Sequence, residues 1–256
     1  MSEEPEKLAE GTLISHLLEL RDRLIRAIVA VGIAFVPCMF YSNQLFTFVA
    51  TPLKEKLPKG THLIATSVMS PFTTPFKLSL FVAVFIAMPF VIYQIWAFVA
   101  PGLYRHEKRF AVPLLVSAIL LFYTGVLFAY FFVFPVMFQF FAGTTPQGVS
   151  MMTDISAYLD FVLTMFLAFG VAFEVPIAVV LVVLTGVVRL EKLKERRGYV
   201  LIGCFVLAAL LTPPDVVSQC SMAVPMYLLY EGGLFMARIL SRMRGDPSEH
   251  EEAEVS

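Results

Sequence analysis

Charged side chains are scarce. Only 15% of the 256 residues are Asp, Glu, Lys or Arg, against about 25% in an ordinary soluble domain. The shortage is concentrated. No charge occurs in Ala27–Leu53, Leu78–Tyr104, Phe110–Thr153, Phe161–Phe173 or Val175–Thr185, and only Asp215 interrupts the run from Gly198 up to Glu231. The remaining cations form short clusters beside apolar runs, which excludes an extended nucleic-acid surface. Cysteine is nearly absent. Cys38, Cys204 and Cys220 lie within or at the edge of apolar runs with no CxxC spacing, so they read as small packing or lipid-facing residues rather than a metal or redox site. The histidines His16, His62, His106 and His250 all fall outside the apolar runs, and His106-Glu107 is not followed by a histidine at HExxH spacing. A zinc peptidase is thereby excluded. There is no Gly-rich phosphate loop, and no catalytic residue, metal or cofactor is expected. The acidic start MSEEPEKLAEG is not the basic n-region of a cleavable signal peptide.

What fills the chain is apolar. Hydrophobic residues make up 58% of it, and a bilayer core about 30 Å thick needs roughly 20 apolar residues per helix. The sequence predicts an all-α polytopic membrane protein. Spans fall at about 24–45, 77–99, 112–138, 158–184, 198–212 and 217–238. They form one membrane domain over residues 1–240, followed by an acidic tail, 241–256, expected to be disordered. The long uncharged stretch 110–153 reads as one helix plus an outer loop, TTPQGVS (Thr144–Ser150). Spans five and six are short and joined by TPPD (Thr212–Asp215).

Lys and Arg fix the orientation. Lys7, Arg21, Arg23 and Arg26 precede the first span, and Arg105, Lys108 and Arg109 lie between spans two and three. Arg189, Lys192, Lys194, Arg196 and Arg197 lie between spans four and five; Arg238, Arg242 and Arg244 follow the sixth. With six spans all four clusters share one face, and the positive-inside rule places both termini in the cytoplasm. The first outer loop is the exception, with Lys54, Lys56, Lys59 and Lys77; its amphipathic runs around Leu57–Gly60 predict a partly ordered cap. Prolines at 37, 89, 113, 135, 176 and 225 lie within spans and are expected to kink them. Helices kinked in this way favour a curved, open arrangement.

Four places can carry chemistry. The run Thr12–Ile28 is amphipathic, with Leu13, Leu17, Leu20 and Leu24 on one stripe, and reads as an interfacial helix over about 12–26 leading into span one. Within it, Glu19 and Arg23 stand four residues apart, and from pattern alone the simpler reading is a surface pair contributing about 0.3–0.5 kcal/mol. Glu107 is the one acid among Arg105, Lys108 and Arg109. It is either a solvated carboxylate or a docking point for a guanidinium, which binds carboxylates through paired N–H donors. Glu174 stands mid-span in FLAFGVAFEVP without a basic neighbour in sequence. An ionisable group there faces a cavity or protein interior, either as a neutral acid bonded to another helix or as a functional group. Glu231 lies nearer the cytoplasmic end, where snorkelling or a pair with Arg238 is expected, and Asp160 and Lys77 read as interfacial.

Five motifs occur in order: HLLELRDRL (His16–Leu24), SPFTTPFK (Ser70–Lys77), YQIWAFVAPGLYRHEKR (Tyr93–Arg109), FGVAFEVP (Phe169–Pro176) and LTPPDVVSQ (Leu211–Gln219). Together they resemble the TatC family, the core receptor of the twin-arginine protein translocase, over nearly the whole chain apart from the acidic tails. The resemblance implies a glove-like arrangement of six helices with both termini cytoplasmic, in the bacterial cytoplasmic (inner) membrane. It implies a receptor for the twin-arginine signal peptides of folded cargo. Such a receptor is powered by the proton-motive force and works with TatA-type and TatB-type single-span partners. Contact with membrane lipid and homo-oligomerisation within the receptor complex are expected; nucleic acid is not. By motif, the implied recognition residues are Glu19 and Glu107 with Arg21, Gln94, Phe98 and Arg105. Glu174 matches the family's intramembrane glutamate, Pro52 and Asp215 match outer-side functional positions, and Thr212 and Gln219 match a polar patch for partner helices. With this resemblance, two acids facing two cargo arginines become the favoured reading of Glu19 and Glu107. The alternatives are a proton-coupled small-solute carrier using Glu174 and an assembly scaffold that needs neither cytoplasmic acid.

Overall fold

The computed structural model describes residues 4–56, 64–99, 108–144, 152–212 and 215–244. Among these the backbone is helical almost throughout, and no strand forms. The elements are α1 (Glu4–Phe40), α2 (Ser42–Lys56), α3 (Ser70–Val99), α4 (Lys108–Phe128), a π-turn (Ala129–Val133), α5 (Phe134–Thr144), α6 (Ile155–Ala172), α7 (Val175–Leu184), α8 (Leu190–Glu195), α9 (Arg197–Leu211) and α10 (Val216–Arg244). Thr145–Ser150 of the expected outer loop, Arg105, Glu107 and the acidic tail from 245 onward lie outside the described residues, whereas 241–244, expected to belong to the tail, form the last turn of α10.

Among the described residues, four segments are long and apolar enough to cross a bilayer: Ser15–Phe40, Ser70–Phe98, Ala111–Thr144 and Ile155–Leu184. The apolar α9 has 15 residues, roughly 22 Å at 1.5 Å per residue, short of a hydrocarbon core of about 30 Å. Helix α10 is long enough at 29 residues, but Gln219, Glu231 and Arg238 dilute its apolar character.

Proline chemistry accounts for the departures from the expected spans. The first span ends at Phe40 rather than near 45. Past Pro37 the chain tightens, with the Tyr41 N–H donating to the Cys38 carbonyl at 3.2 Å, and α2 starts afresh at Ser42. The segment expected to be the first outer loop is thus helical as far as Lys56. The fourth span is two helices. Pro176 has no N–H to give Ala172 and crowds that carbonyl, so the helix stops at Ala172 and restarts at Val175, with Glu174 at the N-cap. Ahead of Pro135 the chain widens into the π-turn, where the Phe134 N–H reaches back to the Ala129 carbonyl. A π-turn absorbs one extra residue, easing the clash that the proline ring would make with the preceding turn.

The chain divides into two compact units. The first comprises Met1–Thr51, His62–Ile119 and Met152–Asp160. Here α1 lies along α3, with Phe35 edge-on to Phe76 at 5.3 Å and the Ser79 hydroxyl donating to the Cys38 carbonyl at 3.2 Å. Over Ser15–Phe40 only 6% of the most apolar window is buried against protein. Leu17, Leu20, Leu24, Ile28 and Ile33 are all exposed, so the leucine stripe of α1 is free to face hydrocarbon. At the Ser70 end of α3, the start of α6 is tied down by polar contacts. Ile64 and Asp154 form a parallel bridge, the Tyr158 hydroxyl donates to the Val49 carbonyl at 3.0 Å, and Ser156 lies within hydrogen-bond reach of both Ser70 and Thr74. The Lys77 ammonium donates to both oxygens of Asp160, at 2.8 and 2.9 Å.

The second unit comprises Pro52–Thr61, Leu120–Met151 and Phe161–Ser256. Phenylalanine rings pack against one another in it. Phe128 meets Phe169 and Phe173, and Phe134 meets Phe161 and Phe166, with ring centroids 5.1–6.4 Å apart. Helix α10 packs on α7 and α9. The Tyr230 hydroxyl donates to the Leu193 carbonyl at 2.7 Å, fixing the short α8 against α10.

Candidate functional site

Helix α1 brings Glu19 and Arg23 onto one face because they are one turn apart, and the pairing of α1 with α3 sets that face over Gln94. Arg23 donates through Nε (3.0 Å) and Nη2 (2.5 Å) to the same oxygen, Oε1, of Glu19. Its Nη1 reaches Gln94 Oε1 at 3.4 Å across 71 residues of sequence. Gln94 is buried, 6% exposed, so its amide lies beneath Arg23 and acts on the guanidinium rather than facing outward. Among the described residues, Glu19 Oε2 accepts no hydrogen bond. One turn before Glu19, the His16 ring stacks on Phe98 with centroids 4.2 Å apart and planes 19° apart. Glu19, Gln94 and Phe98 thus come together, with Arg23 and His16 between them. Arg21 does not join them; it is exposed and pairs with Asp22 at 2.8 Å. Glu107 and Arg105 lie outside the described residues.

Arg23 and His16 were missed as site residues. Arg23 was visible in the sequence only as a local partner of Glu19. Its link to Gln94, and that of His16 to Phe98, depend on the register between two helices some 70 residues apart.

Elsewhere, Glu174 stands at the break between α6 and α7, partly buried, with Oε1 enclosed and without a hydrogen-bond partner among the described residues. Thr212 ends α9 and is turned inward, its hydroxyl donating to the Ala208 carbonyl at 2.8 Å. Gln219 donates to the Phe205 carbonyl at 3.1 Å and borders an open groove lined by Leu201, Ile202, Phe205, Val206 and Ala209. Asp215 caps α10, its Oδ1 accepting the Ser218 N–H at 2.7 Å. Pro52 lies within α2. Glu231 does not use Arg238. It accepts from Arg197 at 2.9 Å and from the Tyr227 hydroxyl at 2.9 Å, because α9 lies alongside α10 and presents Arg197, whereas Arg238 is two turns further along the same helix.

At the other end of α3, Asp154 is held as a carboxylate. The Thr66 hydroxyl and the Thr66 N–H donate to Oδ2, the Ala157 and Ser156 N–H groups donate to Oδ1, and the acid is lowered to about 2.

These features define the class: an all-α, multi-pass membrane protein with a carboxylate–guanidinium cluster where its first helix meets the end of α3. The family model for the Sec-independent protein translocase protein TatC matches residues 15–225. TatC of Azotobacter chroococcum mcd 1 is 53% identical over 249 residues, covering 97% of both chains. TatC of Haemophilus influenzae is 54% identical and that of Escherichia coli K12 52%, each over 88% of both chains. A crystal structure of the twin-arginine translocase receptor TatC superposes with a TM-score of 0.79 at 38% identity, covering 88% of this chain and 99% of that one. The chain belongs to the TatC family of Sec-independent protein translocase proteins. The solute-carrier alternative finds no support among these relatives.

Proposed function

We propose that this chain is the receptor subunit of a twin-arginine translocase, a non-enzymatic component that recognises the signal peptides of folded cargo. It sits in the bacterial cytoplasmic membrane with six spans and both termini inside. The observation that carries the reading is the Glu19–Arg23–Gln94 cluster in a TatC-family chain. A carboxylate at the α1–α3 junction already holds a guanidinium, which is the chemistry that recognition of an arginine pair requires. In this reading Glu19 takes one cargo arginine and Glu107 the other. Gln94 and Phe98 shape the floor, and Arg21 and Arg105 set the surrounding charge.

The remaining matched residues serve assembly and transport. The groove beside Gln219, with Thr212 at the end of α9, receives single-span TatA-type or TatB-type helices. A short α9 supports this, because a span shorter than the bilayer thins the adjoining lipid, and an interhelical hydrogen bond there contributes about 0.6–2 kcal/mol. Glu174 acts after recognition, through the oxygen that has no partner among the described residues, on a partner helix or the inserted peptide. Asp215 and Pro52 support the outer side. Export draws on the proton-motive force.

The test is crosslinking. A photoreactive signal peptide should label the α1–α3 junction of the full-length protein when it carries Arg–Arg, and lose that labelling when both arginines are Ala. Equal labelling by the two peptides contradicts the assignment.

A further inference from the structure

Two of the groups that the receptor reading places at this junction, the Glu19 carboxylate and the Phe98 ring, are already engaged by side chains of α1. Glu19 Oε1 is taken by two N–H donors of Arg23, and one face of Phe98 is stacked on by the His16 ring. Arg23 is the less exposed member of its pair, with its side chain 20% accessible against 39% for Glu19, and Gln94 holds it from below. A guanidinium so fixed is a chemical copy of the cargo arginine.

We propose that Arg23 is a built-in competitor: an internal guanidinium that occupies Glu19 in the empty receptor and must be moved by the arriving arginine. This rests on the receptor reading above. Oε2, which accepts no hydrogen bond among the described residues, gives the incoming guanidinium its first foothold, and transfer of Oε1 from Arg23 to the peptide completes the exchange. Two guanidinium groups on one carboxylate repel each other, so even a shared Glu19 binds the peptide less tightly while Arg23 stays charged beside it. The consequence is a threshold. Every cationic ligand of Glu19 is weakened by the same factor, and only ligands with a second anchor, such as Glu107, exceed it.

The test uses the full-length protein in detergent and three synthetic signal peptides carrying Arg–Arg, Lys–Lys or Ala–Ala, with affinities from fluorescence anisotropy. Arg23→Gln should bind the Arg–Arg and Lys–Lys peptides about two- to fivefold more tightly than the natural protein, the range set by a partly exposed ion pair. Ala–Ala binding should not change. A positioning role for Arg23 predicts the opposite sign, weaker binding of the Arg–Arg peptide. Unchanged or weakened Arg–Arg binding in Arg23→Gln, with Glu19→Gln still impaired, overturns the competitor proposal and leaves the receptor reading standing. Unimpaired binding in Glu19→Gln overturns the receptor site itself. If Arg23→Gln does not fold, Arg23→Lys decides. Lysine offers Glu19 a point charge instead of a fork, so this variant should still bind Arg–Arg peptide more tightly than the natural protein, and equal or weaker binding overturns the proposal.

Discussion

Gly233 on α10 lies directly against Pro176 on α7: a methyl group on Gly233 would come within 2.8 Å of the Pro176 Cα and 3.2 Å of its carbonyl oxygen. Two backbones approach this closely only where one residue lacks a side chain, the arrangement by which small residues join helices in membranes. Neither obstacle is a flexible side-chain end, so the strain cannot be relieved by a rotamer change.

Gly233→Ala should therefore destabilise the fold by about 1–3 kcal/mol, the usual range for overpacking. Gly203→Ala on α9 is the control, since nothing lies within 4 Å of the added methyl. Thermal unfolding in detergent reads both. A Gly233→Ala protein as stable as the Gly203→Ala protein contradicts the close contact.

Asp215 is matched by family resemblance to an outer-side functional position, and its geometry supplies a physical role. Its Oδ1 caps the first turn of α10 through the Ser218 N–H. Asp215→Ala should cost about 0.5–2 kcal/mol, the loss of a helix cap, while Asp215→Asn retains most of the stability because asparagine caps about as well. Unfolding midpoints of the two variants make the comparison. If Asn is as harmful as Ala, the role is not capping.

Asp154 ties the start of α6 to Thr66. Its acid is held down to about 2, against about 3.9 for a free aspartate. A depressed carboxylate stabilises the fold fully above the ordinary value and loses that contribution as the pH falls toward the folded value. The stability difference between the natural protein and Asp154→Asn should be constant above about pH 5 and shrink between about pH 4 and pH 2. A difference that changes between pH 5 and pH 8 contradicts this account.

Much of the fold was legible because hydrocarbon imposes a simple code. Uncharged runs mark the helices, and Arg clusters such as Arg189–Arg197 mark their ends. What the code could not resolve lay in proline neighbourhoods. Pro176 was visible, but not that it would split one span into α6 and α7 and leave Glu174 at the break; a proline can be accommodated, as Pro89 is within α3. Helix α2 was hidden because Lys54, Lys56 and Pro52 give it a loop-like composition. At the site, the family motifs picked out Glu19, Gln94 and Phe98. Local spacing gave the Glu19–Arg23 pair, but not that Gln94 lies beneath it, since that depends on how α1 and α3 mesh. The same limit explains Glu231, whose partner Arg197 comes from another helix.

Glu174 separates two accounts of the intramembrane acid. Its Oε1 has no partner among the described residues, so a neutral side chain that can hydrogen-bond a visiting helix should suffice. Glu174→Gln should transport cargo better than Glu174→Ala, with signal-peptide binding kept in both. Equal and complete loss of transport in the two variants points instead to a required ionisation.

The receptor site stands or falls on the affinity of the full-length protein for an Arg–Arg signal peptide before and after Glu19→Gln. Losing a hydrogen bond to a charged group costs about 1.5–3 kcal/mol, so affinity should fall roughly 10- to 150-fold, and Glu19→Gln should bind Arg–Arg and Ala–Ala peptides with much smaller distinction than the natural protein. Wild-type affinity and undiminished preference for Arg–Arg in Glu19→Gln would contradict a receptor site built on this carboxylate.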